Sequence, residues 1–67
     1  MKVTINDEVK DITAGKSVSE LVAEIYPDKK GGIAVAVNDK IVRKPDWEAH
    51  IINEGDSIVI INAAYGG

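Results

Sequence analysis

Near the start of the chain Val3 and Ile5 alternate with Lys2, Thr4 and Asn6, which predicts a half-buried strand. Asn6-Asp7 is turn chemistry, and residues 8–13 read as the returning strand of a hairpin. Val9 and Ile12 fall on opposite faces of a regular strand, so a bulge or a ragged edge is expected there. The period then changes. Val18, Leu21, Val22 and Ile25 follow i, i+3, i+4, i+7, one stripe of an α-helix. Ser17-Val18-Ser19-Glu20 fits a capping box with Ser17 as N-cap, and Pro27 disfavours helical backbone at Tyr26.

Residues 27–32 have loop composition, and no phosphate-cradle pattern accompanies Gly31-Gly32. Ile33-Ala34-Val35-Ala36-Val37 is apolar on both faces, as an interior strand is. Asn38-Asp39 predicts a second hairpin turn, with Ile41-Val42 as its short partner strand. Pro45 favours a turn or short helix over residues 43–48, with Trp47 as a hydrophobic anchor. Glu54-Gly55-Asp56 reads as a tight turn. Residues 57–61 form a last strand, again apolar on both faces.

The order is strand, strand, helix, strand, short strand, strand. One helix covers only one face of such a sheet, so the fold class is α+β: a β-grasp, or ubiquitin-like, mixed sheet of four to five strands with one main helix. Composition agrees, because ten Ile and eight Val against one Leu favour a pleated surface. Residues 1–62 are expected to be the folded domain and residues 63–67 a flexible tail ending in Gly-Gly.

Packing predicts an uncovered apolar surface. With Ile58 and Ile60 facing the helix, Val59 and Ile61 lie on the open face, beside either Ala34 and Ala36 or Val35 and Val37. Such a patch marks a partner surface unless the loop around Trp47 folds over it.

Size and chemistry exclude much. Sixty-seven residues leave no room for a catalytic cleft and a cofactor cavity beside a core, so the chain is not expected to be an enzyme or to bind a cofactor. The absence of Cys rules out disulfides, thiolate metal sites and a thiol nucleophile. The lone His50 among Asp46, Glu48, Glu54 and Asp56 lacks a ligand pattern, so no metal is expected. Ser17, Ser19 and Ser57 lack a base, and Asp46 with Glu48 lacks a cleft. A net charge of −3 argues against nucleic acid; Lys29, Lys30, Lys40, Arg43 and Lys44 read as solubilising turns. No apolar run is long enough to span a membrane and the N-terminus does not read as a signal peptide, so a cytoplasmic location is expected.

The informative chemistry is at the other end. Ala63-Ala64-Tyr65-Gly66-Gly67 follows the last strand and reaches about 17 Å when extended. Gly-Gly lacks Cβ atoms and can enter a slot too narrow for any side chain, delivering an α-carboxylate to a partner's active site. A carboxylate resists nucleophiles, and adenylation by ATP would activate it.

The β-grasp order, the Asn6-Asp7 turn, Ile33-Ala34-Val35-Ala36-Val37-Asn38 followed by Ile41-Val42, then Trp47, Gly55-Asp56 and Gly66-Gly67 together resemble the ThiS family. These are the ubiquitin-like sulfur carriers of thiamine biosynthesis. The resemblance implies that the Gly67 carboxylate is adenylated by an E1-like, ThiF-like adenylyltransferase using ATP. It is then converted to a thiocarboxylate with sulfur from a donor protein, and the sulfur passes to a ThiG-like thiazole synthase. Gly66 would give clearance, Ala64 and Tyr65 would lie in the partner's channel, and the face around Val59 and Ile61 would dock. The related MoaD carriers of molybdenum or tungsten cofactor synthesis, carriers for other sulfur pathways and ubiquitin-like protein modifiers use the same kind of terminus.

Overall fold

A computed structural model of the chain describes residues 1–27 and 32–62. Its elements are β1 (Lys2–Ile5), β2 (Glu8–Asp11), α1 (Val18–Ile25), β3 (Ile33–Val37), β4 (Lys40–Val42), a 3-10 turn (Lys44–Asp46) and β5 (Ser57–Asn62). They form one five-stranded sheet in the order β2-β1-β5-β3-β4. The last strand in sequence thus lies in the middle, parallel to β1 and antiparallel to β3.

Local chemistry sets the elements. Both hairpins close through two-residue Asn-Asp loops with positive φ at each residue: 52° and 69° at Asn6 and Asp7, and the same values at Asn38 and Asp39. Such backbone matches the right-handed twist of the flanking strands, and Asn and Asp tolerate it. At α1 the Ser17 hydroxyl accepts from the Glu20 N–H at 3.1 Å, and the Glu20 carboxylate accepts from the Ser17 N–H at 2.9 Å. This reciprocal cap satisfies two donors that a helix start would leave unpaired. The helix stops at Tyr26, before Pro27. β2 runs in unbroken register with β1, and the pairing extends to Met1 and Ile12, so Val9 and Ile12 lie on opposite faces of a regular ladder with no bulge between them. Val9 is exposed on the face opposite α1, whereas Ile12, which exchanges two 2.8 Å hydrogen bonds with Met1, lies on the helix side and packs against the core.

The core joins one face of the sheet to α1. Val3, Val35, Val37, Val42, Ile58 and Ile60 meet Val18, Leu21 and Val22, with Trp47 and Ile52 filling the margin. The chain from Trp47 to Ile52 is fixed to the start of the helix. Ser19 N–H donates to the Trp47 carbonyl, Val18 N–H to His50, and Ile52 N–H to Lys16. Trp47 therefore closes the helix side of the sheet and does not fold over the other face.

Candidate functional site

Two features lie where sequence chemistry points: the open sheet face and the strand from which residues 63–67 continue. Alternation along β5 divides its side chains sharply. Ile58 and Ile60 are 0% and 5% exposed, whereas Val59 and Ile61 are 37% and 57% exposed. Register completes the surface. Ala36 pairs with both Val59 and Ile41, and Ala34 pairs with Ile61, so these five residues share the face opposite α1. Of the two sequence alternatives, Ala34 and Ala36 are therefore on the open face and Val35 and Val37 in the core. Ile41 is 71% exposed and extends the apolar row across three strands. The sequence reading left Ile41 out of the patch; its alternation with Val42, a core residue, was the available signal.

Residues that might suggest catalysis have structural positions. Ser17 is consumed by the helix cap, and the His50 carbonyl accepts from Val18. Buried Asp56 accepts from the Asn38 side chain at 3.0 Å and from the Asn53 N–H at 2.8 Å, which organises the turn before β5. An open groove between the β1–β2 hairpin and α1 is floored by Ile5, Ile12, Leu21 and Ile25, and its lining contains no Ser, Thr or His. Two carboxyl groups are held below the ordinary range. For Glu20 the leading cause is its hydrogen bond with the Ser17 backbone; for Asp11 it is a hydrogen bond from the N-terminal ammonium group. Both are ion-stabilising contacts at the surface. Among the described residues, no group of three or more His, Asp or Glu could hold a metal ion, and no helix is long and apolar enough to cross a membrane.

Ala64, Tyr65, Gly66 and Gly67, the residues assigned to the reactive tail, lie outside the described residues, as do Lys29 and Lys30. What the structure does place is the root of that tail. β5 ends at Asn62, at the centre of the sheet, and its outward side chains belong to the apolar face.

The sequence model of the ThiS family matches residues 3–67. The chain belongs to the ThiS family. It is 33% identical over 67 residues to the sulfur carrier protein ThiS of Escherichia coli strain K12, covering all of both chains. The fold is also similar to a crystal structure described as thiamine biosynthesis protein ThiS from Geobacter metallireducens, with a TM-score of 0.83 over the whole of both chains at 19% identity. That likeness is in architecture: a mixed five-stranded sheet carrying one helix, the β-grasp expected from the order of elements.

Proposed function

We propose that this chain is a sulfur carrier of thiamine biosynthesis, a protein co-substrate acting in the cytoplasm and not an enzyme. The observation that carries the reading is a ThiS-family match that runs through Gly66-Gly67. In this reading the Gly67 carboxylate attacks the α-phosphate of ATP within an E1-like adenylyltransferase. Pyrophosphate leaves and an acyl-adenylate forms. Sulfide supplied by a donor protein then attacks the acyl carbon, AMP leaves and a proton is lost, giving a thiocarboxylate whose sulfur a thiazole synthase accepts. ATP belongs to the partner, and the carrier itself needs no bound cofactor.

Each part of the chain has a physical role. Gly66 and Gly67 pass where a Cβ would clash, and Ala64 and Tyr65 occupy the approach channel. Val59 and Ile61, joined by Ile41, Ala34 and Ala36, dock against an apolar patch on the partner. Burying that patch holds the body while the tail reaches inward.

Incubation with ATP, a sulfur donor and the cognate activating enzyme tests the reading. The intact mass should show one oxygen exchanged for sulfur, located at Gly67 by fragmentation. Removing Gly67, or adding one residue after it, should abolish the exchange while leaving the fold unchanged. No exchange alongside an active control carrier would overturn the proposal, as would accumulation of lysine-linked adducts instead of thiocarboxylate.

A further inference from the structure

β1 pairs with β5 through Thr4 with Ser57 and Ile5 with Ile58, and the chain then turns away at Asn6-Asp7. β5 continues to Asn62. Ile60 is buried, so its peptide groups need partners on the side that β1 has just vacated. Asn6 supplies them. Its main-chain N–H donates to the Ile58 carbonyl at 2.8 Å. Its side-chain Oδ1 accepts the Ile60 N–H at 2.8 Å, and its Nδ2 donates to the Ile60 carbonyl at 3.2 Å. The carboxamide thus makes the two bonds to Ile60 that a continuing parallel strand would make from two of its peptide groups. Its orientation is fixed, because the Ile60 N–H requires an acceptor and the Ile60 C=O a donor.

Asn38 opens the second hairpin turn and grips the other end of the same strand. Its N–H donates to the Ser57 carbonyl at 2.7 Å, and its Oδ1 accepts the Ser57 N–H at 2.9 Å. The central strand is clamped at both ends by the first residues of two like turns. Only Asn6 acts at the end from which the tail departs.

We propose that the Asn6 side chain is a positioning residue for the terminal carboxylate. β3 pairs with Ile60, Ile61 and Asn62 on one side, and Asn6 holds Ile60 on the other, so that together they root the chain leading to Gly67 at Asn62. The inference rests on the sulfur-carrier reading. Without the clamp, residues 60–62 are held from the β3 side alone, and each opening of the strand end lengthens the chain leading to Gly67 from five residues to about eight. Length alone then dilutes the carboxylate at the partner's site about twofold, and the released residues must be re-extended each time the tail enters the slot.

The test compares Asn6→Gly with Asn38→Gly. Glycine accepts the positive φ at both turns, so each variant keeps its backbone bond to β5 and loses only the side chain. Amide exchange on the free proteins, followed by NMR, should show Ile61, whose peptide groups face β3, opening in Asn6→Gly but not in Asn38→Gly. At saturating carrier, kcat for adenylation by the cognate enzyme should fall about three- to tenfold for Asn6→Gly and less than twofold for Asn38→Gly. Unchanged protection at Ile61, or a kcat for Asn6→Gly within twofold of that for Asn38→Gly, would overturn the proposal while wild-type chain is still adenylated. A wild-type chain that is not adenylated would overturn the carrier reading and this inference with it.

Discussion

The Trp47 indole N–H donates to the Val42 carbonyl oxygen at 2.9 Å, pinning the loop after β4 to the strand it has just left. Both residues are buried on the helix side of the sheet. Trp47 is therefore a core side chain and a hydrogen-bond donor at once, and the direction in which it folds leaves the opposite face bare.

Replacing it separates those roles. Trp47→Ala should cost about 3–5 kcal/mol, most of the roughly 3–10 kcal/mol expected for a chain of this size. Trp47→Phe keeps much of the volume but leaves the Val42 carbonyl without its donor, at about 1–3 kcal/mol. Urea midpoints for the two variants check the ordering. A Phe variant as stable as wild type would show that the indole bond contributes nothing.

The cap of α1 makes stability depend on pH. Hydrogen bonding with the Ser17 backbone, and then with its side chain, holds the Glu20 carboxyl below its ordinary value of 4.5. A group depressed in the folded state contributes its stabilisation above the unfolded value and loses it as pH falls through the folded one. Glu20→Gln keeps an acceptor that does not titrate. Its urea midpoint should therefore fall less steeply than wild type below about pH 4.5, a threshold set by the ordinary carboxylate value. Ser17→Ala should cost about 1 kcal/mol at neutral pH. Parallel acid limbs for wild type and Glu20→Gln would refute the assignment.

Charge on the bare face should affect recognition and spare folding. Ile41→Lys and Val59→Lys alter exposed positions, so each should shift stability by less than about 0.5 kcal/mol. Each should raise the KM of the carrier for its activating enzyme at least tenfold, about 1.4 kcal/mol. Glu8→Lys on β2 is a control for non-specific charge effects. Equal KM values across the three would move the docking surface elsewhere.

The hairpin turns leave room for improvement. Asp39 has φ 69°, and its neighbour Asn38 holds the strand. Asn-Gly is the favoured pair for such a turn. Relief of left-handed backbone, worth about 1 kcal/mol, should outweigh the added freedom of glycine in the unfolded chain, so Asp39→Gly should raise Tm by about 2–4 °C. A lower Tm would mean that the Asp39 side chain makes a contribution beyond its backbone geometry.

Local signals made much of the fold legible. Ser17, Glu20 and Pro27 delimit the helix within ten residues, and the Asn-Asp pairs mark both turns. The apolar runs of β3 and β5 identified interior strands but concealed their facing, because both alternations are apolar. Side-chain size settles it: Val35 and Val37 fill the space beneath α1, where Ala34 and Ala36 would leave voids. Ile52 was equally hidden, since its burial follows from pairing with Lys16 across a long separation. The site was legible in part. Val59 and Ile61 are exposed as their alternation requires, and Gly66-Gly67 lie outside the described residues. The Asn6 clamp could not be read from the chain, because it depends on a register joining residues 54 positions apart.

The placement of β5 also governs when the molecule can exist in its finished form. Before Ser57 is synthesised, the earlier strands make only two separate hairpins, and ribbons of that kind are marginal alone in water. The sheet closes when the final strand slides between them. A nascent chain interrupted earlier lacks the strand that joins the two hairpins into one sheet. Folding therefore acts as a checkpoint on translation: a chain that presents the closed sheet has already been made through Asn62.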